Sequence, residues 1–468
     1  MTERSTAPHD AGTAGDQTRI ETPLGTFAAL RHSHDVEQVR NIRYARAGRF
    51  EPPTPVPPDP EESAARQLDR YACPQPPSAA DEVYGPQLAG MTFTEDCLRL
   101  SVTRPVRSPA DDTLLPVLVW VHGGAYVSGA GDLPGYDPVA LVREHGVVVV
   151  NVTYRLGALG FFGDDGGADG RPPRPANLGL LDVIEALRWV REHIEAFGGD
   201  PGQVTAFGQS AGADLLAHVL GADGTDGLLR RAILQSPPLG VRGGRAEIHD
   251  ALVGAAGDLT AGSPVTDVVA AQVRAAAAVA GMNDRAGMPF APEYGRAPLP
   301  PEDEFLATWR RRAPELELLV TWTRQDGSAF VQLDPKGRAL RARPVVGPLL
   351  FRLVARRVTD TLFRRGARAF AKNMADAGAA VVAAELSTRP DGNPLGATHA
   401  VELGLLFPNA ERWAEAPVIG PDGATHLVEA GRALRAAWVE FARTGRLSAD
   451  RVGVGPGWSG GLRVTRRS

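Results

Sequence analysis

The sequence predicts an α/β fold: a central, mostly parallel twisted sheet with helices on both faces. Three observations lead there. Four short apolar runs of β-strand character recur, "PVLVWV" at 116–121, "VVVVNVTYR" at 147–155, "QVTAFG" at 203–208 and "RAILQS" at 231–236. Such runs alternating with helical stretches need crossover connections, which make neighbouring strands parallel. Between the second and third runs, Leu181, Ile184, Leu187, Val190, Ile194 and Phe197 recur every three or four residues and form one apolar stripe, ending at Gly198 and Gly199. This is a crossover helix laid on the sheet. The third run then passes into a glycine-flanked serine, "AFGQSAGADLL" at 206–216, and a second helical stretch.

Taken in order, residues 1–18 are small, polar and aperiodic and are expected to form a disordered tail. Residues 19–468 are expected to form a single domain. Its Pro-rich connection at 51–60, "EPPTPVPPDP", lies inside the domain or at its edge. Residues 250–315 and 350–385 look mainly helical and Ala-rich, and predict helical cap insertions within about 240–390.

Composition narrows the function. The chain has 468 residues, 43% hydrophobic and 22% charged, with a net charge of −5, which offers no basic surface for nucleic acid. A small neutral ligand fits better. The N-terminus has no apolar core of a secretory signal, and the longest apolar runs are too short to cross a membrane, so a cytoplasmic protein with no membrane partner is expected. Only Cys73 and Cys97 are present. A bridge between them would stabilise by roughly 3 kcal/mol, but a reducing cytosol disfavours it.

The chemistry centres on Ser210. Gly208-Gln209-Ser210-Ala211-Gly212 places a serine on a strand-to-helix turn, the setting of a nucleophile elbow, and the glycines let strand and helix approach closely. A hydroxyl needs a base and the base needs an orienting acid. Of the histidines that follow, His218 would be carried away by the serine's own helix, whereas His399 in "GATHAVELGLLF" sits in a loop after the last expected strand. The acid candidate is Asp326, where the apolar run of "LLVTWTRQDGSAF" ends in a turn. An oxyanion needs backbone N–H donors, and "VWVHGGAYVSG" supplies a glycine-rich loop after a strand, with Gly124, Ala125 and Ala211 as donors. His122, Tyr126, Gln209 and Trp322 neighbour these motifs and are possible pocket residues. No Walker A loop or HExxH motif occurs, and neither cofactor nor metal is expected.

With these motifs in hand, the chain resembles the type-B carboxylesterase family, the cholinesterase-like branch of the α/β-hydrolases. The resemblance rests on "EDCLRLSV" at 95–102, "PVLVWVHGGAYVSG" at 116–129, "VVVVNVTYRLGALGFF" at 147–162, the stretch 177–213 around Ser210, "RRAILQS" at 230–236 and "GATHAVELGLLF" at 396–407. It implies the α/β-hydrolase fold, a Ser210–His399–Asp326 triad, and oxyanion donors at Gly124, Ala125 and Ala211. It further implies a bridge between Cys73 and Cys97, a buried ion pair of Glu95 with Arg155, and a C-terminal helix at 438–447. Three departures stand out. Gln209 replaces the usual Glu before the serine, which removes an attraction for cationic substrates. Asp326 replaces the usual Glu, so its loop must sit closer to His399, and Glu402 remains the alternative acid. The N-terminal signature is shortened at "NIRYARAGRFEPP".

The expected function is hydrolysis of small to medium neutral carboxylic esters through an acyl-enzyme, by a monomer or homodimer. Two alternatives stay open: a biosynthetic enzyme using the same triad for acyl transfer, lactonisation or cyclisation, and a non-catalytic cholinesterase-like binding module.

Overall fold

Along β5 (Leu115–Val121), Val117, Val119 and Val121 join the apolar core on one side of the sheet and Leu118 and Trp120 the core on the other. Both sets are fully buried, so this strand requires cover on two faces. A computed structural model describes residues 16–33, 35–107, 112–166, 173–282 and 288–468.

The twelve strands of the main sheet are β1 (Asp16–Thr22), β2 (Gly25–Ser33), β3 (Val36–Arg43), β4 (Arg99–Pro105), β5, β6 (Val148–Val152), β7 (Gly199–Gln209), β8 (Arg231–Gln235), β9 (Glu317–Thr323), β10 (Ala380–Leu386), β11 (Arg451–Gly453) and β12 (Gly461–Arg467). Their spatial order is β1-β2-β3-β4-β6-β5-β7-β8-β9-β10-β12-β11. Strands β5 to β10 are mutually parallel, and antiparallel strands close both edges. The chain is thus an α/β-hydrolase fold, as the sequence implied. The antiparallel edges were not visible as runs, because strands such as β3 and β4 interleave polar and apolar residues.

Helix α1 (Leu178–His193) is the expected crossover; it continues as a 3-10 turn over Ile194–Phe197 and stops at Gly198, φ 82°. Helix α2 (Ala211–Val219) follows the serine. The region 240–390 holds α3 (Ala246–Ala256), α4 (Val265–Val279), α5 (Glu302–Arg312), α6 (Gly327–Leu333), α7 (Pro335–Arg341), α8 (Gly347–Val358) and α9 (Arg365–Asp376). It is not one continuous cap, because β9 and β10 return through it to the sheet. The C-terminal helix α10 spans Leu427–Thr444, longer at its start than expected. Residues 1–15 of the expected tail lie outside the described residues, and 16–18 already belong to β1. No helix among the described residues is long and apolar enough to cross a membrane.

Two structural expectations are corrected. Arg155 pairs not with Glu95 but with Asp182 on α1, Nε to Oδ2 at 2.8 Å and Nη2 to Oδ1 at 2.6 Å. A guanidinium this enclosed needs a carboxylate equally removed from water, and Asp182 is fully buried; the more accessible Glu95 takes Arg49 at 2.8 Å. Cys73 and Cys97 are both free and buried. A hydrogen bond to Cys73, reinforced by burial, pushes the Cys97 thiol well above its ordinary range.

The Arg155–Asp182 pair ties the end of β6 to α1. Asp182→Ala leaves an uncompensated buried cation and is expected to lower unfolding free energy by about 3–5 kcal/mol in urea titration; a loss under about 1 kcal/mol would show the pair to be dispensable.

Candidate active site

Every expected motif emerges at the carboxyl ends of the parallel strands: the glycine-rich loop after β5, Ser210 after β7, Asp326 after β9 and His399 after β10. In open parallel sheets this edge gathers loops from separate parts of the chain, and ligands bind there.

Ser210 sits between β7 and α2 with φ 56° and ψ −125°, a strained backbone for a residue with a Cβ. Its N–H donates to Gln235 O at 2.8 Å, which anchors the turn to β8. A Cβ on Gly208 would meet Gly212 C at 2.7 Å, and one on Gly212 would meet Val121 O at 2.1 Å. Glycine at both positions is therefore what lets α2 press against β7 and β5 while the serine faces the edge.

Asp326 and His399 are brought together. Nδ1–H of His399 donates to Asp326 Oδ1 at 2.8 Å, and the second carboxylate oxygen accepts from Thr323 N–H at 2.9 Å. The shorter acid reaches its partner because its loop is stitched to the histidine loop. Gln325 N–H donates to Ala397 O at 2.9 Å, Gln325 Oε1 accepts from Ala397 N–H at 2.8 Å, and Ala329 N–H donates to Thr398 Oγ1 at 2.8 Å. Phe330 and Phe363 flank the imidazole with ring centres 5.1 and 4.6 Å away, and Tyr84 OH donates to His399 O. Glu402 does not reach His399; its Oε1 accepts from Gln235 Nε2 at 3.1 Å.

The remaining imidazole nitrogen holds a contact the sequence reading missed. Among the described residues it is the Gln209 side-chain amide, not the Ser210 hydroxyl, that occupies His399 Nε2, at 3.0 Å. With Nδ1–H committed to Asp326, Nε2 carries the lone pair and the amide donates to it. The signal was Gln209's place beside Ser210, which sequence reasoning weighed for charge and not for hydrogen bonding.

The loop after β5 turns through Gly124 (φ 116°), Ala125 (φ 53°) and Tyr126 (φ 63°). The N–H groups of Gly124, Ala125 and Ala211 have no acceptor among the described residues. Tyr126 is fully enclosed and donates its hydroxyl to Asp214 Oδ2 at 2.7 Å, fastening this loop to α2 one turn beyond Ser210. His122 is also enclosed: it stacks on Tyr154 at 4.4 Å, its Nδ1–H donates to Gly123 O, and burial pushes its pKa down to about 4. Trp322 packs in the core under Arg368. These three side chains, expected as possible pocket residues, are thus placed in packing, and of the four only Gln209 touches the triad candidates. His218 lies away from the serine, bonded to Asp214 O and Tyr294.

Comparison with known proteins agrees with this architecture. The model of the carboxylesterase family matches residues 16–343. A probable N-octanoylanthranilate hydrolase of Rhodococcus erythropolis is 39% identical over 92% of this chain and 93% of that protein. The para-nitrobenzyl esterase of Bacillus subtilis (strain 168) is 32% identical over 82% and 84% of the two chains. A solved structure of a thermophilic para-nitrobenzyl esterase superposes with a TM-score of 0.71 at 27% identity, covering 95% of this chain and 94% of that one.

Beneath the site, burial raises the Glu402 carboxyl from 4.5 to about 7, helped by the nearby Asp326 charge. Its Oε2 has no hydrogen-bond partner among the described residues. The folded chain holds this proton more tightly than the unfolded chain does. The stability it brings is full below pH 4.5 and is lost as the pH rises through about 7. Glu402→Gln removes that slope, so the variant is expected to gain roughly 3 kcal/mol on the wild type between those limits. Urea unfolding of both proteins across the window checks this; parallel curves would mean an ordinary carboxyl.

Proposed function

The chain belongs to the carboxylesterase family and is an ester-hydrolysing enzyme; from that premise we propose that it works through an acyl-enzyme on Ser210, with His399 as base and Asp326 as the acid that orients it. The observation that carries the reading is the Asp326–His399 hydrogen bond, next to a serine held on a left-handed strand-to-helix turn.

In the resting site the Gln209 amide caps His399 Nε2. Nε2 has one lone pair, so the Ser210 hydroxyl must displace the amide before it can be deprotonated. His399 then takes the Oγ proton as Oγ bonds to the ester carbonyl carbon. The carbonyl oxygen becomes an oxyanion, for which the N–H groups of Gly124, Ala125 and Ala211 are the proposed donors. Collapse of the intermediate breaks the bond to the alcohol, which leaves with the proton from Nε2. Water repeats the sequence on the acyl-enzyme and frees the acid. Asp326 keeps the proton of the resting imidazole on Nδ1 and stabilises the imidazolium.

The substrates proposed are neutral esters with short to medium acyl chains. Gln209 puts an uncharged amide beside the proposed nucleophile; one relative is named for a para-nitrobenzyl ester, and another for N-octanoylanthranilate, an amide that matches the acyl length and not the bond type.

Hydrolysis of p-nitrophenyl esters from acetate to octanoate tests this reading. Ser210→Ala is expected to lose about 10⁶ in turnover and Asp326→Asn about 10⁴ with the fold intact. More than a tenth of wild-type activity in Ser210→Ala would remove the nucleophile assignment. A wild-type burst with hardly any turnover would favour acyl transfer or cyclisation. Gln209→Glu gives the imidazolium a carboxylate partner, so the acidic limb of the kcat/KM profile is expected to move to higher pH by about one unit; an unchanged limb would mean that the side chain at 209 does not sit on Nε2 in the free enzyme.

A further inference from the structure

One face of the molecule has a chemistry that ester hydrolysis leaves unused. Eleven large apolar side chains are exposed among the described residues, and six of them fall within ten positions: Val345, Val346, Leu349, Leu350, Leu353 and Val354. Helix α8 buries Gly347, Phe351 and Ala355, so Leu349 and Leu353, one turn apart, project from the opposite side. Apolar residues scattered singly over a surface need no explanation, but a contiguous ridge does.

The ridge stands in an unusual electrostatic setting. Residues 335–368 carry ten Lys or Arg against one acid, Asp360, in a chain whose net charge is −5. Asp360 is already taken by Arg364. Lys336, Arg343, Arg352, Arg356, Arg357 and Arg365 are exposed and have no ion-pair partner among the described residues. Three of these arginines, Arg356, Arg357 and Arg365, line one groove of about 450 Å³, together with Leu353, Asp360 and Thr361. A second groove of about 340 Å³ has Phe330, Val331, Leu340, Val354 and Val358 in its wall.

We propose that this face docks the protein on an anionic membrane surface, with the apolar ridge entering the acyl boundary and Arg356, Arg357 and Arg365 engaging lipid phosphates. A helix with projecting leucines and flanking arginines is the arrangement that lies in a bilayer interface, and guanidinium groups bind phosphate oxygens in bidentate fashion. A second copy of the chain fits poorly, because a two-fold contact through the ridge would set the same unpaired arginines against each other. The sequence reading expected no membrane partner because no run is long enough to span a bilayer; interfacial docking needs no spanning segment. Docking would also present bilayer-dissolved acyl chains to the second groove, whose Phe330 packs against His399.

Flotation with phosphatidylcholine vesicles, with and without about one-third phosphatidylglycerol, tests the proposal without reading turnover. The full chain is expected to float with the anionic vesicles, to stay behind with pure phosphatidylcholine, and to release as salt is raised. Each arginine removed costs about fivefold in partition, so Arg356→Gln with Arg357→Gln is expected to bind about 25-fold more weakly. Leu349→Ser with Leu353→Ser should lose at least about tenfold. All four substitutions are at exposed positions, and wild-type circular dichroism and unfolding midpoints in the variants establish that they fold. Absence of wild-type binding to anionic vesicles, or equal binding by both variants, overturns the proposal. So does a wild-type dimer in light scattering that the Leu349→Ser, Leu353→Ser variant dissociates, because the ridge would then be a contact between copies.

Discussion

The whole site hangs on a steric constraint at Gly208 and Gly212. A single methyl on Gly212 would stand 2.1 Å from Val121 O, and one on Gly208 would press on the first turn of α2. With hydrogen in both places the helix closes onto two strands at once, and Ser210 is left on a strained turn that relaxed packing would not tolerate. The same closeness sets the distance between the helix that follows Ser210 and the glycine-rich loop after β5, which the Tyr126–Asp214 hydrogen bond then holds. Backbone strain here is offset by burial elsewhere in a sheet covered on both faces.

Around that constraint the molecule places few free charges. His122 is kept neutral by burial and Glu402 is shifted far toward its neutral form, so the Asp326 carboxylate faces His399 with little competition. Gln209 continues the pattern, with a neutral amide on His399 Nε2. The positive charge that the site lacks is gathered instead along residues 335–368, a stretch that also sets Phe363 against the imidazole beside Phe330 of α6. One stretch of chain thus has an apolar inner surface shaped for the histidine and a cationic outer surface.

Legibility in the sequence followed the range of the interactions. The parallel strands and the crossover helix were readable because each is a local pattern of apolar residues; Leu115–Val121 is a continuous apolar run, as a strand buried on both faces requires. The elbow and the loop after β5 were readable because glycine marks backbone geometry directly. What could not be read were pairings between distant segments with several chemically equal candidates. Arg155 could have met Glu95 or Asp182, and only the packing of α1 decides. His122, Tyr126 and Trp322 looked like pocket residues because aromatic side chains near a motif suit either role, and the fold buries all three in packing contacts that the sequence does not display. The amide on Nε2 was hidden for the same reason, since a residue's neighbours in space are not its neighbours in the chain.

The stitching of the acid and base loops has a mechanical consequence. Gln325 grips Ala397 through both its backbone and its side chain, and Thr398 grips the first turn of α6. Seventy-three residues apart in the chain, Asp326 and His399 are therefore fastened to a common clamp. In the proposed mechanism one nitrogen of the imidazole stays anchored to that clamp through Asp326 while the other exchanges an amide for a hydroxyl.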